Sequence, residues 1–556
     1  MAPDSDSEED NGPVRYRTLN NLYDTTEEVQ NYEYSGMCLL AAEEPENIDQ
    51  ALEDECWKKA MISELESIEE NNTWYFCELP RGHKAIGLKW VYKVKKNPEG
   101  EIVKYKARIV AKGYAQRQGV DYDEVFAPVA RLETVRLLLA LAAYGGWEVH
   151  HMDVKSAFLN GDLQEEVYVH QPPGFSDPRH VGQVLRLRKA LYGLKQAPRA
   201  WNAKLDSELL SLGFRKCSVE HAVYRRGVGE SLLLIGVYVD DLIICGPSVV
   251  QITHFKQQMK NTFSMSDLGL LSYYLGMEVM QKDGVITICQ SSYAAKIVQQ
   301  CQMTGCNPVD TPMEQRVKLT KAKTGTEKNV TRYRSIIGML RYLVNTRPDL
   351  SFAVGIVSRF MEAPDNEHWA AVKRIIRYVS GTLNYGCKFI RGENSEMLLL
   401  GYTDSDQAGD LVQRKSTSGV LFFLGSNLIT WSSQKQRIVA LSSCEAEYIA
   451  AALGACQGVW LSRLIAELKN EQVQKFRLLI DNKSAIELSK NPVHHERSKH
   501  IDTRYHYIRD CIEQGVVEVD HVRTGDQLAD ILTKPLARMR FAELRMKLGV
   551  TKIERD

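Results

Sequence analysis

The apolar residues of this chain fall into short runs, and the run that organises the others is Ser231–Gly246. It is rich in β-branched residues, and two adjacent acids, Asp240 and Asp241, interrupt it in the middle. This pattern predicts a β-hairpin with the acids at its tip, because Asp is favoured in tight turns. The pair is either a solvated turn or part of a cation site, since a carboxylate beside an apolar core requires compensation.

Upstream of this hairpin the pattern predicts a second strand that carries an acid. Arg131–Ala143 has the spacing of an amphipathic helix, Trp147–Val154 has the pattern of a strand with Asp153 near its end, and Ala200–Leu212 is a further helix. The order strand, helix, strand, strand is the core of a split β-α-β sheet, which places Asp153 beside the hairpin acids. Such a trio suits two divalent cations about 3.5–4 Å apart, as phosphoryl transfer requires.

A strongly basic stretch precedes these elements. Residues 84–117 hold ten Lys or Arg residues against two acids. Alternating positions in Lys89–Lys96 and Glu101–Val110 predict two strands joined by a turn at Asn97–Gly100. A positive ribbon with interleaved aromatic residues suits phosphates and bases, but a charged edge strand that resists aggregation has the same pattern. This stretch alone leaves both interpretations open.

Length and composition limit the classes of function that this chain can have. The 556 residues suffice for about three or four domains, and the net charge of −1 means that any basic binding surface is local. Twelve cysteines without a Cys-x-x-Cys pair argue against a zinc ribbon and indicate reduced thiols. The chain has an acidic N-terminus and no apolar run of about 18 residues, so it predicts neither a signal peptide nor a membrane span.

The C-terminal part carries a second set of acids at predicted strand ends and helix starts. They follow a β-β-β-α-β-α order, which suits a two-metal nuclease, although any one alone is more typical of a cap or turn. Asp404, Asp481 and Asp530 belong to this set, together with a glutamate at the start of a long helix near Ser442.

A histidine cluster lies between the last two of these acids. His494, His495, His500 and His506 are either zinc ligands or part of a basic surface that contacts a nucleic-acid backbone. The cysteines are not arranged to complete a tetrahedral zinc site, which favours the surface.

Four segments match known motifs in order along the chain: Lys106–Gly113, Met152–Phe158, Leu191–Trp201 and Tyr238–Asp241. They resemble the successive motifs of copia-type LTR retrotransposon reverse transcriptases, and the resemblance runs from about Trp74 to the end. It implies an α+β right-hand polymerase with fingers and palm at 56–300 and thumb or connection at 301–395, followed by an α/β ribonuclease H-like domain at 396–556. The polar, acidic composition of residues 1–55 predicts a disordered segment before them.

The resemblance also implies roles for particular residues. Phe158 would be the steric gate that excludes a ribose 2′-OH, Tyr192 and Gly193 would line the nucleotide pocket, and Arg108 and Lys112 would hold the triphosphate. The implied catalytic metal ligands are Asp153, Asp240 and Asp241 in the polymerase, and Asp404, Glu447, Asp481 and Asp530 in the nuclease, where His521 would aid product release.

The implied function is an RNA-directed DNA polymerase with ribonuclease activity on RNA–DNA hybrids, dependent on Mg²⁺ or Mn²⁺. Its partners would be an RNA template, a DNA primer, the hybrid and dNTPs, with the element's integrase and capsid protein as further partners and no membrane. The expected location is cytoplasmic virus-like particles, with the nucleus as a second site. The chain is expected to be a segment or a truncated copy of a longer polyprotein, because Val14–Asn20 resembles the tail that follows integrase.

Two departures and two alternatives accompany this interpretation. Gln407 stands where the family has Trp, and Asp526-Gln527 replaces the Asn-Glu of the cellular nucleases. The chain is alternatively an inactive or co-opted remnant that binds nucleic acid without turnover. Another two-metal enzyme, such as a DNA-templated polymerase or a cyclase, is the second alternative, but an attached hybrid nuclease argues against it.

Overall fold

The computed structural model describes residues 44–96, 101–315, 317, 319–321, 329–392, 397–490 and 503–554. The predicted turn at 97–100, the predicted disorder of residues 1–43, and the histidines at 494, 495 and 500 lie outside these ranges.

Helices and strands alternate along most of the described chain. The helices are α1 (Ile48–Glu53), α2 (Glu55–Glu70), α3 (Leu132–Gly145), α4 (Ala197–Ser211), α5 (Val249–Thr262), α6 (Ser291–Gln300), α7 (Val330–Leu343), α8 (Ser351–Val357), α9 (Asn366–Ser380), α10 (Ser443–Lys469), α11 (Lys483–Lys490), α12 (Tyr507–Glu513) and α13 (Arg538–Lys547). The strands are β1 (Trp74–Cys77), β2 (Leu88–Lys96), β3 (Ile102–Ala111), β4 (Val149–Val154), β5 (Tyr168–Val169), β6 (Val184–Leu187), β7 (Arg215–Lys216), β8 (Val223–Arg226), β9 (Leu233–Tyr238), β10 (Asp241–Cys245), β11 (Met265–Leu270), β12 (Tyr273–Tyr274), β13 (Met277–Lys282), β14 (Val285–Cys289), β15 (Tyr385–Phe389), β16 (Leu399–Ser405), β17 (Thr417–Leu424), β18 (Asn427–Lys435), β19 (Phe476–Ile480), β20 (Val517–His521) and β21 (Val550–Lys552).

The basic hairpin is confirmed and forms its own two-stranded sheet, β2–β3. Helix α2 packs against it through Trp57, which makes edge contacts with Tyr92 at 5.3 Å and Tyr105 at 5.0 Å between ring centroids. The structure corrects the predicted disorder for residues 48–55, which form α1 and the start of α2. The side chains of Asn47 and Asp54 accept backbone hydrogen bonds at the two helix starts, which offsets the cost of ordering this polar stretch.

A six-stranded sheet with the order β11-β4-β10-β9-β8-β7 forms the centre of the first half. Strand β10 lies between β4 and β9 and is antiparallel to both, so the predicted split β-α-β arrangement is confirmed. Helix α3 packs against β9 and also against β14, β15 and β18. The predicted helix is confirmed, but the prediction that it is amphipathic was wrong, since every residue from Thr134 to Ala143 is buried.

A second sheet, with the order β12-β13-β14-β15-β21, joins residues that are far apart in sequence. Strand β15 pairs with β14, about 100 positions upstream, and with β21 near the C-terminus. The sequence analysis predicts no strand in the thumb or connection region at 301–395, so β15 was missed. Its short pattern gives no sign of these partners because both are remote along the chain.

The C-terminal unit contains a sheet with the order β18-β17-β16-β19-β20, crossed by the long helix α10. The first three strands are antiparallel, whereas β16, β19 and β20 run parallel. Within the described residues, α10 has the length and apolar composition of a membrane span, but 67% of its apolar window is buried, as in a core helix. The predicted class, an α+β polymerase fold followed by an α/β nuclease-like unit, is confirmed.

Candidate catalytic centres

The hairpin β9–β10 and strand β4 bring three carboxylates to one end of the six-stranded sheet. Asp241 opens β10 and is the direct cross-strand partner of Asp153 in β4. Asp240 lies in the turn before it, together with Val239, whose φ of +58° is unusual for a β-branched residue. The indole nitrogen of Trp201 donates a 2.7 Å hydrogen bond to the carbonyl of Val239. Helix α4 therefore braces the turn that carries the acids.

Burial and mutual repulsion act on these carboxylates. Burial, together with the charge of Asp241, raises the pKa of Asp153, and burial likewise raises the pKa of Asp240. The Nε2 atom of His151 lies 2.8 Å from one oxygen of Asp241. Among the described residues, this trio does not bring three ligand atoms within 4.8 Å of one another. Neighbouring acids with raised pKa values form a site that a bound cation would compensate.

Four of the predicted nucleotide-site residues lie together beside these acids. The ring centroids of Phe158 and Tyr192 are 4.7 Å apart, and the guanidinium carbon of Arg108 lies 4.5 Å from the Tyr192 centroid. Burial raises the pKa of Tyr192 to about 12. Gly193 has a φ of +89°, and an added Cβ there would lie 2.2 Å from the carbonyl oxygen of Ala111. Only glycine fits this close approach of two loops.

The fifth predicted residue, Lys112, is oriented differently. Its side chain lies along the backbone of Gly87, and its own N–H donates to the Gly87 carbonyl at 2.8 Å. Two lysines that the prediction missed, Lys95 and Lys106, oppose the burial-driven rise in the pKa of Asp153. The period of two along β3 is the signal that could have found Lys106, because it shares a face with the predicted arginine.

Three acids of the C-terminal unit converge more tightly. Asp404 in β16, Glu447 in the first turns of α10 and Asp481 directly after β19 each offer an oxygen, all within 4.8 Å of one another. Parallel pairing of β16 with β19 puts Asp404 and Asp481 at the same sheet edge. Asp404 is 1% exposed and Glu447 is 5% exposed. Two buried carboxylates and the half-buried Asp481 repel one another strongly at this distance unless a proton or a cation lies between them.

Glu447 responds most to this environment. Burial, with the charges of Asp404 and Asp481, raises its pKa to about 9. One of its oxygens accepts from the N–H of Ser405 at 3.0 Å, and the other is buried without a partner in the described chain. Glu445, two residues earlier, instead accepts a 2.8 Å hydrogen bond from the backbone N–H of Leu441 at the start of α10. An unpartnered carboxylate oxygen among converging acids fits a hard divalent cation.

Asp530 joins this group through a lysine that the sequence analysis missed. The Nζ of Lys534 lies 2.7 Å from Asp530 and 3.2 Å from Asp404, and the hydroxyl of Thr533 donates to the other oxygen of Asp404. Burial would lower the pKa of Lys534, but the two carboxylates outweigh it and raise that pKa. The spacing of four residues between Asp530 and Lys534 was the available signal.

His521 lies at the end of β20, where it is exposed and pairs in register with Ile480, the residue before Asp481. This puts it at the sheet edge that carries the acids. Gln527, one of the two departures from the cellular nucleases, is fully buried and donates to the carbonyl of Thr403 at 2.9 Å. It holds the loop that carries Asp530 against the strand that carries Asp404.

Comparisons with known proteins show which family this chain resembles. A family model described as reverse transcriptase (RNA-dependent DNA polymerase) matches residues 71–315. The Retrovirus-related Pol polyprotein from transposon RE1 of Arabidopsis thaliana is 41% identical over 525 residues, which are 94% of this chain and 36% of that protein. The chain thus spans just over a third of this relative's length.

A shorter relative is covered almost completely. The putative transposon Ty5-1 protein of Saccharomyces cerevisiae is 35% identical over 303 residues, which are 54% of this chain and 98% of that protein. A solved structure of foamy viral protease–reverse transcriptase in complex with double-stranded DNA aligns at a TM-score of 0.43 and 12% identity, over 91% of this chain and 85% of that one. The chain belongs to the reverse transcriptase family of retrotransposon Pol polyproteins.

Proposed function

We propose that this chain is an RNA-directed DNA polymerase that also hydrolyses RNA in RNA–DNA hybrids. The observation that carries the polymerase part is the direct pairing of Asp153 with Asp241, next to the cluster of Arg108, Phe158 and Tyr192. The acids and this group of aromatic and basic side chains then lie side by side. A primer end and an incoming nucleotide could meet there.

The polymerase reaction is attack of the primer 3′-OH on the α-phosphate of a dNTP. Asp153, Asp240 and Asp241 would hold divalent cations, which supply charge stabilisation at the attacking and leaving oxygens. The side chains of Lys95, Lys106 and Arg108 come from the basic hairpin. We assign them to neutralising the triphosphate, since positive groups fixed beside developing negative charge lower the barrier.

The nuclease reaction is hydrolysis of an RNA phosphodiester. We assign Asp404, Glu447, Asp481 and Asp530 as its metal ligands. The convergence of the first three and the partnerless oxygen of Glu447 support this assignment, and Asp530 is linked to Asp404 through Lys534. His521 is assigned to product release. Both sets of ligands consist of carboxylates, which favours Mg²⁺ or Mn²⁺ over softer metals.

The domain assignment and the partners are part of the same proposal. Residues 56–300 are fingers and palm, 301–395 thumb or connection, and 396–556 the nuclease. The partners are the RNA template, DNA primer, hybrid and dNTPs, together with integrase and capsid protein of the same element. The foamy viral structure holds double-stranded DNA, and we extend nucleic-acid binding to this chain on family membership. The location is the cytoplasmic particle, with the nucleus as a second site.

The test assays primer extension on an RNA template and hybrid cleavage, with Mg²⁺ and with Mn²⁺. The variants are the double Asp240→Asn, Asp241→Asn, the single Asp481→Asn, and the control Asp283→Asn, an exposed acid in the β13–β14 turn. The hairpin double variant should lose extension and keep cleavage, Asp481→Asn should do the reverse, and the control should keep both. Extension by the double variant would overturn the site assignment, and a wild type inactive with both metals would overturn the proposed enzyme function.

A further inference from the structure

Arg136 lies in the middle of α3, completely enclosed by protein. Its Nε donates to the carbonyl of Ile429 at 2.8 Å, and one terminal nitrogen donates to the carbonyl of Asn345 at 3.0 Å. Its guanidinium carbon lies 3.9 Å from the ring centroid of Trp431. A single side chain of the polymerase half therefore contacts β18 of the nuclease-like unit and the segment that follows α7.

This joint is polar and charged, although it lies in a continuous apolar core. Burial lowers the pKa of Arg136 to about 10, so the side chain still carries its charge near neutral pH. Beside it, the hydroxyl of Thr430 donates to Glu133 at 2.8 Å, and the indole of Trp431 donates to the carbonyl of Val344 at 3.1 Å. Directional bonds of this kind fix one arrangement of two packed surfaces, which apolar contacts alone do not.

The joint connects elements that lead to the two sets of acids. Helix α3 leads into β4, which carries Asp153, and Leu138 of the same helix packs directly over Gly236 in β9. On the other side, β18 pairs with β17, and β17 pairs with β16, which carries Asp404. Arg136 is therefore one of the hydrogen-bonded connections between the two sheets.

A second polar contact supports the same arrangement away from α3. Glu467, near the end of α10, accepts from the N–H of Ser218 at 2.7 Å and from its hydroxyl at 3.1 Å. Ser218 lies between β7 and β8 in the polymerase sheet. Two separated contacts restrict rotation as well as translation of one unit against the other.

We infer that Arg136 is a positioning residue that sets the distance between the polymerase and nuclease centres, and with it the position at which RNA is cut behind the primer end. The inference rests on the proposed function. When one hybrid contacts both centres, the distance between the centres determines how many base pairs lie between the primer end and the cut. A joint that holds this distance constant therefore gives a constant number of base pairs. A looser joint gives a wider distribution of cuts without slowing either reaction.

The experiment uses the full chain and a 5′-labelled RNA annealed to a DNA primer with a recessed 3′ end. The position of the first RNA cut is mapped at single-nucleotide resolution for wild type, Arg136→Lys and Arg136→Gln. Wild type should cut at one dominant position. Arg136→Gln should spread the first cuts over several nucleotides, and Arg136→Lys, which keeps the charge and a donor, should give an intermediate spread. Primer extension, and cleavage of a hybrid without a recessed end, should stay within about twofold.

Glu133→Gln and Thr430→Val, each altering one hydrogen bond at the same joint, are the milder variants if Arg136→Gln does not fold. An unchanged cut position in all folded variants overturns the inference. Equal loss of extension and cleavage in every variant also overturns it, because Arg136 would then be only a core residue. An inactive wild type is a different result, the failure of the proposed function itself.

Discussion

Lys534 and Asp530, four residues apart, form an ion pair with 2.7 Å between Nζ and Oδ1. The same ammonium group lies 3.2 Å from Asp404, so it neutralises two of the acids to which we assign metal binding. A divalent cation bound by these acids would be repelled by this ammonium group. The lysine and the cation therefore compete for the same carboxylate oxygens.

Lys534→Met should lower the concentration of Mg²⁺ needed to stabilise the nuclease unit. Without Mg²⁺ the variant should melt below wild type, because Asp404 and Asp530 lose their compensating charge. On titration with MgCl₂ its Tm should rise more steeply and reach half of its increase at a lower concentration. Lys373→Met, an exposed lysine on α9, is the control and should follow wild type. A higher Mg²⁺ requirement would mean that Lys534 helps to hold the cation.

The raised pKa of Glu447 predicts how the metal-free protein responds to pH. Its value of about 9 lies above the ordinary 4.5, so between these values the folded state holds a proton that the unfolded chain has released. The free energy of unfolding then falls as pH rises through this window, by up to about 1.4 kcal/mol per pH unit for one proton. The raised pKa values of Asp481 and Asp530 act in the same direction.

Thermal unfolding in the presence of EDTA at several pH values between 5 and 9 measures this slope. Glu447→Gln should reduce it, since the amide stays neutral at every pH. Saturating Mg²⁺ should flatten the wild-type slope, because a cation replaces the proton in the same cluster. A slope that is the same in Glu447→Gln and wild type would contradict the raised pKa.

Phe158 packs against Tyr192 beside the acids, where a nucleotide sugar would lie in the proposed pocket. Phe158→Ala should admit the 2′-OH and raise ribonucleotide incorporation relative to dNTPs by at least about tenfold, a change of about 1.4 kcal/mol in selectivity. Ratios of kcat/KM for CTP and dCTP measure this change. Phe76→Ala, an exposed phenylalanine on β1, should leave the ratio unchanged. If Phe158→Ala lowers both rates equally, the ring only supports the pocket.

Local patterns could predict the positions of Asp153, Asp240 and Asp241, because each inference used residues that are close together in sequence. The apolar, β-branched run around Asp240 predicted a hairpin, and the helix between two strands predicted their order, so the pairing of Asp153 with Asp241 followed. The acids of the second unit followed from strand ends in the same way. The chemical roles of both sets stay predictions until activity is measured.

What the sequence could not reveal are contacts between remote segments. Arg136 lies in a helix that was predicted to be amphipathic, yet its partners are 209 and 293 positions away. Strand β15 was missed because it forms only by pairing with β14 and β21. Lys534 looks like an ordinary charged residue until Asp404, 130 positions upstream, is packed against it. Periodicity encodes which face is buried, but not which distant element covers it.

Arg347 and Asp349 form a buried ion pair that joins the connecting helices to the C-terminal helix. Their side chains are 1% and 0% exposed, with 2.8 Å between Nη2 and Oδ2. The hydroxyl of Tyr378 donates to the same carboxylate at 2.7 Å, and Arg545 of α13 donates to that hydroxyl at 2.9 Å. These bonds satisfy both charges, and the attraction of Arg347 overcomes burial and lowers the pKa of Asp349.

Asp349→Asn should therefore destabilise the protein by about 3–5 kcal/mol, since it leaves the guanidinium of Arg347 buried without a counter-charge. The double variant Arg347→Met, Asp349→Leu should be less destabilised than this single variant, because neither charge is then left alone. Urea unfolding followed by tryptophan fluorescence measures the difference. Asp177→Asn, whose partner Arg179 is exposed, should leave the transition unchanged. A double variant with a lower free energy of unfolding than Asp349→Asn would show that the network stabilises the protein through its hydrogen bonds rather than through charge balance.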